Sequence, residues 1–150
     1  MDDDPYSPRP VAAWFTPAAI ASLLFMGLGC VMFAMDVMTD PTTLPIDQQT
    51  ALDATPGWVR GANGFAVLTG LGGTILLVMR NRLAVGVLAV SLISVLVMLA
   101  GFIVVQPLRE AASANDLLVV IIVTALTWTI YWFARHSRQR GWLSEPKNQD

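Results

Sequence analysis

Asp36, Arg60 and Asn63 are the residues whose types and spacing come nearest to a working site in this chain. Each lies at the edge of a long uncharged stretch, and ionisable groups at membrane depth are functional candidates by default. Counting about 20 helical residues from Pro17 brings Asp36 to one membrane face, and a similar count from Arg80 back to Arg60 spans about 30 Å. The two charges are therefore expected at matching depth on consecutive antiparallel helices. Asp36 sits at a helix C-terminus and Arg60 in an early helical turn, each at the unfavourable end of its helix dipole. Contact between them would offset that, so an Asp36–Arg60 pair is expected, with Asn63 one turn below Arg60. Such a pair could act as an external gate or as a clamp on a substrate carboxylate. The alternatives are an interfacial structural pair, or two charges that snorkel separately to water.

The rest of the chain offers little reactive chemistry. There is one histidine, His136, in a basic tail, and one cysteine, Cys30, in mid-span, so no soft metal-ligand set or haem pair is available. No GxGxxG, Walker, HExxH, GxSxG or CxxC pattern occurs. Arg109 and Glu110 are adjacent opposite charges in a loop, an arrangement that is usually only solvated. The expectation is a non-enzyme with no catalytic residue, metal or cofactor. A net charge of −2 gives no case for a nucleic-acid partner.

The elements that must position these residues follow from composition. Of 150 residues, 55% are hydrophobic and 13% charged, against roughly 25% charged in soluble chains. The deficit is concentrated in runs 11–35, 61–79, 83–108 and 117–134, which hold no Asp, Glu, Lys or Arg. Each is long enough to cross a bilayer, which takes about 20 apolar residues. The fold expected is an all-α, four-helix membrane bundle forming a single domain, with spans near 17–38, 56–79, 83–106 and 114–135. An external loop covers 39–55 and a cytoplasmic tail 136–150.

Thr-Pro pairs at 16–17 and 55–56 predict N-capped helix starts. Within the 39–55 loop, the stretch 45–53 predicts a short helix on the membrane surface. Ser113 followed by Asp116 predicts a capping box for the last span. An acidic N-terminus, and no cleavage-site pattern after the first run, predict that this run is retained as a span.

Orientation follows from basic residues. Arg9, Arg80, Arg82, Arg135, Arg138, Arg140 and Lys147 fall on one side of a four-span topology, and only Arg60 and Arg109 on the other. The positive-inside rule then places both termini in the cytoplasm of a bacterial inner membrane. Trp14 and Trp132 are expected at the cytoplasmic interface and Trp58 at the outer one. Small residues mark the faces where helices approach. These are Gly61, Ala66, Gly70 and Thr74 on the second span, with Gly57 and Gly64 also allowing close packing. On the third span they are Ser91, Ser94 and Gly101, with Met98 among them, and on the fourth Thr124 and Thr127. The bundle core should be small and mildly polar.

The stretches ATPGW (54–58), LLVMRNRLAV (76–85), SLISVLV (91–97) and YWFARHSRQRGWL (131–143) resemble small four-helix inner-membrane proteins of proteobacteria that are often labelled sugar transporters. Members often carry a glutamine in mid-helix three, where this chain has Met98. The label attached to that resemblance implies a small-solute, sugar-like transporter, and four short helices alone barely enclose a pathway, so such a transporter would act as a homo-oligomer. The residues themselves favour a non-enzymatic accessory or interaction protein, partnered by the lipid bilayer and by a second copy or another membrane protein.

Overall fold

The computed structural model describes residues 11–143. Arg9 and Lys147, together with the whole of the tail beyond Leu143, lie outside the described residues. Four long helices form the bundle: α1 (Phe15–Met38), α3 (Gly57–Val78), α4 (Leu83–Val104) and α6 (Ala114–Gln139). Two short helices, α2 (Ile46–Ala54) and α5 (Gln106–Ala111), and a 3-10 turn at Pro41–Thr43 make the connections at one end, here the loop end. All four long helices are apolar enough to cross a membrane, with mean hydropathy from 1.5 to 2.9. The chain is thus an all-α, multi-pass membrane bundle, as composition predicts.

Packing runs in the order α1–α3–α4–α6. The closest approach joins α3 and α4. Leu88 Cγ lies 2.7 Å, and its backbone nitrogen 3.2 Å, from where a side-chain carbon on Gly73 would stand. One turn away, a Cβ on Gly70 would meet Met26 Sδ of α1 at 2.7 Å and Ser91 Oγ of α4 at 3.0 Å. Ser91 donates its hydroxyl to the Ala66 carbonyl of α3 at 2.7 Å, fully buried. In lipid there is little hydrophobic gain on helix association, so close backbone approach and inter-helix hydrogen bonds hold the pair. Buried Ser22, Thr74, Thr127 and Ser137 return their hydroxyls to carbonyls of their own helices instead. The core is mildly polar, as expected, and fully satisfied among the described residues.

Several expected details change. Gly61 is exposed, with nothing within 4 Å of its would-be Cβ, because it faces away from α4 and α1; Gly57 is equally open. Of the three, only Gly64 is packed as expected, under the Phe33 ring at 2.6 Å. Ser94 bonds its own helix at Val90 and does not bridge, and Thr124 does likewise at Val120. Thr16 is not a cap: α1 begins at Phe15 behind Trp14, since burying the Phe15 ring draws the first turn two residues earlier. Thr55 closes α2, donating to the Ala51 carbonyl at 2.6 Å, and Pro56 caps α3. The last span extends to Gln139, one turn into the expected tail.

The end that carries residues 11–15, the α3–α4 turn and the end of α6 is tightly closed. Trp14 and Phe15 pack on Phe133 at ring separations of 5.5 Å, and on Trp142 at 5.6 and 6.0 Å. After α6, Gly141 adopts a positive φ of 74°, and Trp142 N–H bonds back to Ser137, a Schellman stop that turns Trp142 and Leu143 under the bundle. Arg82 Nε holds the Leu143 carbonyl at 3.1 Å. The α3–α4 turn uses the same stop with Arg80 at φ 58°, a position that strains any side chain by roughly 1 kcal/mol. Its guanidinium lies 5.6 Å over the Phe15 ring, and this cation–π contact offsets the strain.

Gly73→Ala should therefore destabilise the protein by about 1–3 kcal/mol through overpacking. Gly72→Ala, with nothing within 4 Å, should be neutral or gain up to about 1 kcal/mol of helix propensity. Unfolding in mixed micelles reads both; equal effects at the two glycines would remove the close α3–α4 contact.

Candidate functional site

The loop end packs differently. Its buried core is small: Val59, Met98, Leu108 and Val120. Helices α1 and α6, which meet through Phe15 and Phe133 at the closed end, are not packed along their length. Between them at the loop end lies a half-open cavity of about 780 Å³. Asp36 and Thr39 at the end of α1 form one wall, and Ser113, Asp116, Val119 and Val123 of α6 the opposite one. Val59, Arg60 and Asn63 of α3, with Met98 and Phe102 of α4, close the back. The roof is α2, through Asp47, Gln48, Ala51 and Leu52, continued by Leu108 and Ala111 of α5.

Local chemistry builds this roof. Pro45 precedes α2 and Asp47 occupies its first turn, where a carboxylate suits the dipole. Gln49 Nε2 ties back to the Leu44 carbonyl at 2.8 Å. Asp40 accepts from the Thr42 backbone N–H at 2.9 Å and the Thr42 hydroxyl at 2.8 Å. Those bonds favour the carboxylate and hold the Asp40 carboxyl below its ordinary value. At α6 the expected capping box is present: Asp116 N–H donates to Ser113 Oγ at 3.3 Å, and Ser113 N–H donates to Asp116 Oδ2 at 2.9 Å.

The three residues singled out from sequence, Asp36, Arg60 and Asn63, all line this cavity. The expected ion pair does not form. Arg60 Nη2 donates to the Leu52 carbonyl at 3.2 Å, in the last turn of α2. The negative end of the α2 dipole lies within reach, and the guanidinium shares the Leu52 carbonyl with the Thr55 backbone N–H, which bonds it at 3.2 Å. Asp36 and Asn63 have no hydrogen-bond partner among the described residues. Sequence reasoning missed Asp47 and the whole α2 face. The signal was available in Leu44, Asp47, Gln48, Ala51, Leu52 and Thr55, whose spacing places them on one side of a helix.

The remaining named residues have structural positions. Trp58 stands half-exposed against Gly101, its Cη2 3.0 Å from a would-be Cβ there. Trp132 stacks on His136 at 5.4 Å, near Arg135 and the end of α6. Arg138 and Arg140 carry the backbone bonds of the α6 stop, which Arg80 and Arg82 face from the α3–α4 turn. Cys30 points its thiol at the Val67 carbonyl of α3, 3.7 Å away, and no cluster of metal-ligating side chains occurs among the described residues. Comparison with protein-family models, curated proteins and solved structures returns no match.

Two outcomes follow. Asp36→Asn and Arg60→Gln should have additive effects on stability, and the charge swap should rescue nothing; coupling in the double-mutant cycle would restore the direct pair. Because the Asp40 carboxyl is lowered on folding, its bonds to Thr42 are complete above the ordinary value of 3.8 and lost only as pH falls through a lower one. The Thr42 amide resonance should stay flat from neutral pH down to that value and move below it; a transition above 3.8 would contradict the cap.

Proposed function

We propose that this chain is a bacterial inner-membrane protein with both termini in the cytoplasm, working without enzymatic chemistry as an interaction or accessory subunit. Its interaction site is the loop-end cavity. The orientation is supported by Arg80, Arg82, Arg135, Arg138 and Arg140 at the closed end, against Arg60 and Arg109 at the loop end.

The observation that carries the reading is the cavity lining: three carboxylates, one guanidinium and two carboxamides around an apolar floor. Such a set binds and orients. The hydroxyl–carboxylate contact at this wall, Ser113 with Asp116, is spent on capping α6, so it supplies no activated nucleophile. The resemblance to proteins labelled sugar transporters keeps a second reading, a small-solute transporter acting as a homo-oligomer. It is favoured by a cavity lying at one end of a bundle that aromatic rings seal at the other. Against it, no charged residue lies near the middle of any span, where coupled carriers place theirs.

Native mass spectrometry of protein taken from its own membranes should show a retained mass, whether a second copy, a partner subunit or a small ligand. Val123→Trp, which fills the cavity floor, should release it. A deletion strain should take up sugars at the parental rate; a specific uptake defect would replace this reading with the transporter.

A further inference from the structure

We propose that the loop-end cavity seats the headgroup of a zwitterionic aminophospholipid, of the phosphatidylethanolamine type, drawn laterally from the bilayer. The inference rests on the binding role argued above and names the ligand of that same site.

Access decides the source of the ligand. Helices α2 and α5 cover the loop side, while α1 and α6, the neighbours that do not pack along their length, leave the opening between their walls. Both walls belong to membrane-spanning helices, so what enters comes from the lipid phase. At about 780 Å³ the space lies in the range of roughly 300–1,000 Å³ typical of ligand pockets. It takes a headgroup with the first part of an acyl chain, which would lie on Val120 and Val123.

Charge decides the headgroup. Asp36 and Asp47 line the cavity without a protein partner among the described residues and demand a cation able to donate hydrogen bonds. Arg60 uses a single donor on the Leu52 carbonyl, and a guanidinium carries five. Its remaining donors and the Asn63 carboxamide suit a phosphodiester. A primary ammonium and a phosphate joined by a short spacer answer both halves. An anionic headgroup such as glycerol phosphate would set its charge against three carboxylates, Asp36, Asp47 and the capping Asp116, and a choline has no N–H to donate.

Delipidated wild-type protein, titrated by native mass spectrometry, tests this with dioleoyl phosphatidylethanolamine, the matching phosphatidylglycerol and phosphatidylcholine, and glycerophosphoethanolamine, the same head without chains. The ethanolamine lipid should bind at about tenfold lower concentration than either other lipid, and the chainless head should not compete. Asp36→Asn with Asp47→Asn should abolish the preference for the amine, and Val123→Trp should abolish binding. Leu24→Ala, on the lipid-facing side of α1, should change neither, and circular-dichroism melts confirm that each variant is folded. Equal retention of all three lipids, a preference that survives the double Asn variant, or competition by the chainless head would overturn the proposal. Failure here while a Val123→Trp-sensitive mass persists on protein from native membranes removes the lipid and leaves the binding role standing.

Discussion

The close contact of α3 with α4 sets the geometry of everything else. Gly73 admits Leu88 to within contact of the α3 backbone, and Ser91 ties the two helices through the Ala66 carbonyl. Water-driven collapse is not available between helices in lipid, so this contact has to come from fit and hydrogen bonding. The same glycine face serves two partners. Gly70 receives Met26 from α1 on one side and Ser91 from α4 on the other. Helix α3 is therefore the element on which α1 is hung, and α4 in turn carries α6.

A row of four helices joined in that order closes into a bundle only if its outer members meet. Here they meet at one end. The rings of Trp14, Phe15, Phe133 and Trp142 draw α1 and α6 together there, and the Schellman stop at Gly141 folds Trp142 and Leu143 beneath them. Among the described residues no equivalent ring cluster occurs at the loop end, where the buried core is reduced to Val59, Met98, Leu108 and Val120. The connections there are two short helices, α2 with no buried residue and α5 with only Leu108 buried, so they roof the gap without filling it. The cavity is thus a by-product of unequal packing at the two ends, with spanning helices for its walls.

Much of this was legible in the sequence, and the failures share one cause. Span number, span length, the capping box at Ser113–Asp116 and the glycine-rich face through Ala66 and Gly70 follow from local chemistry and helical period. Depth is also legible, since it is a count of residues along an axis; that is why Asp36, Arg60 and Asn63 were correctly grouped at one end. Azimuth and competition are not. Whether Gly61 or Gly64 faces a neighbour depends on the rotation of α3, which the Leu88 and Met26 contacts set from outside the helix. Whether Arg60 meets Asp36 depends on what else is within its reach, and α2 supplies carbonyls that a span-by-span count leaves out. Thr55 shows the same limit: its hydroxyl has two helix ends to choose from, and it satisfies the one behind it.

The lost ion pair also shapes the chemistry of the site. With Arg60 committed to the C-terminus of α2, its charge is shared with a helix dipole, and Asp36 is left without a counter-ion among the described residues. Asp47 is favoured where it stands by the opposite end of the same short helix. Helix α2 therefore fixes both signs at once, an anion at its start and a cation at its finish, and a third charge waits on α1. A nine-residue helix is about 13 Å long, which keeps the two poles apart yet on the lining of a single cavity. An isolated Asp36–Arg60 pair would have neutralised itself and presented nothing. Separating the charges along α2 converts them from a structural clasp into a dipolar surface, over a floor that only an apolar group can cover.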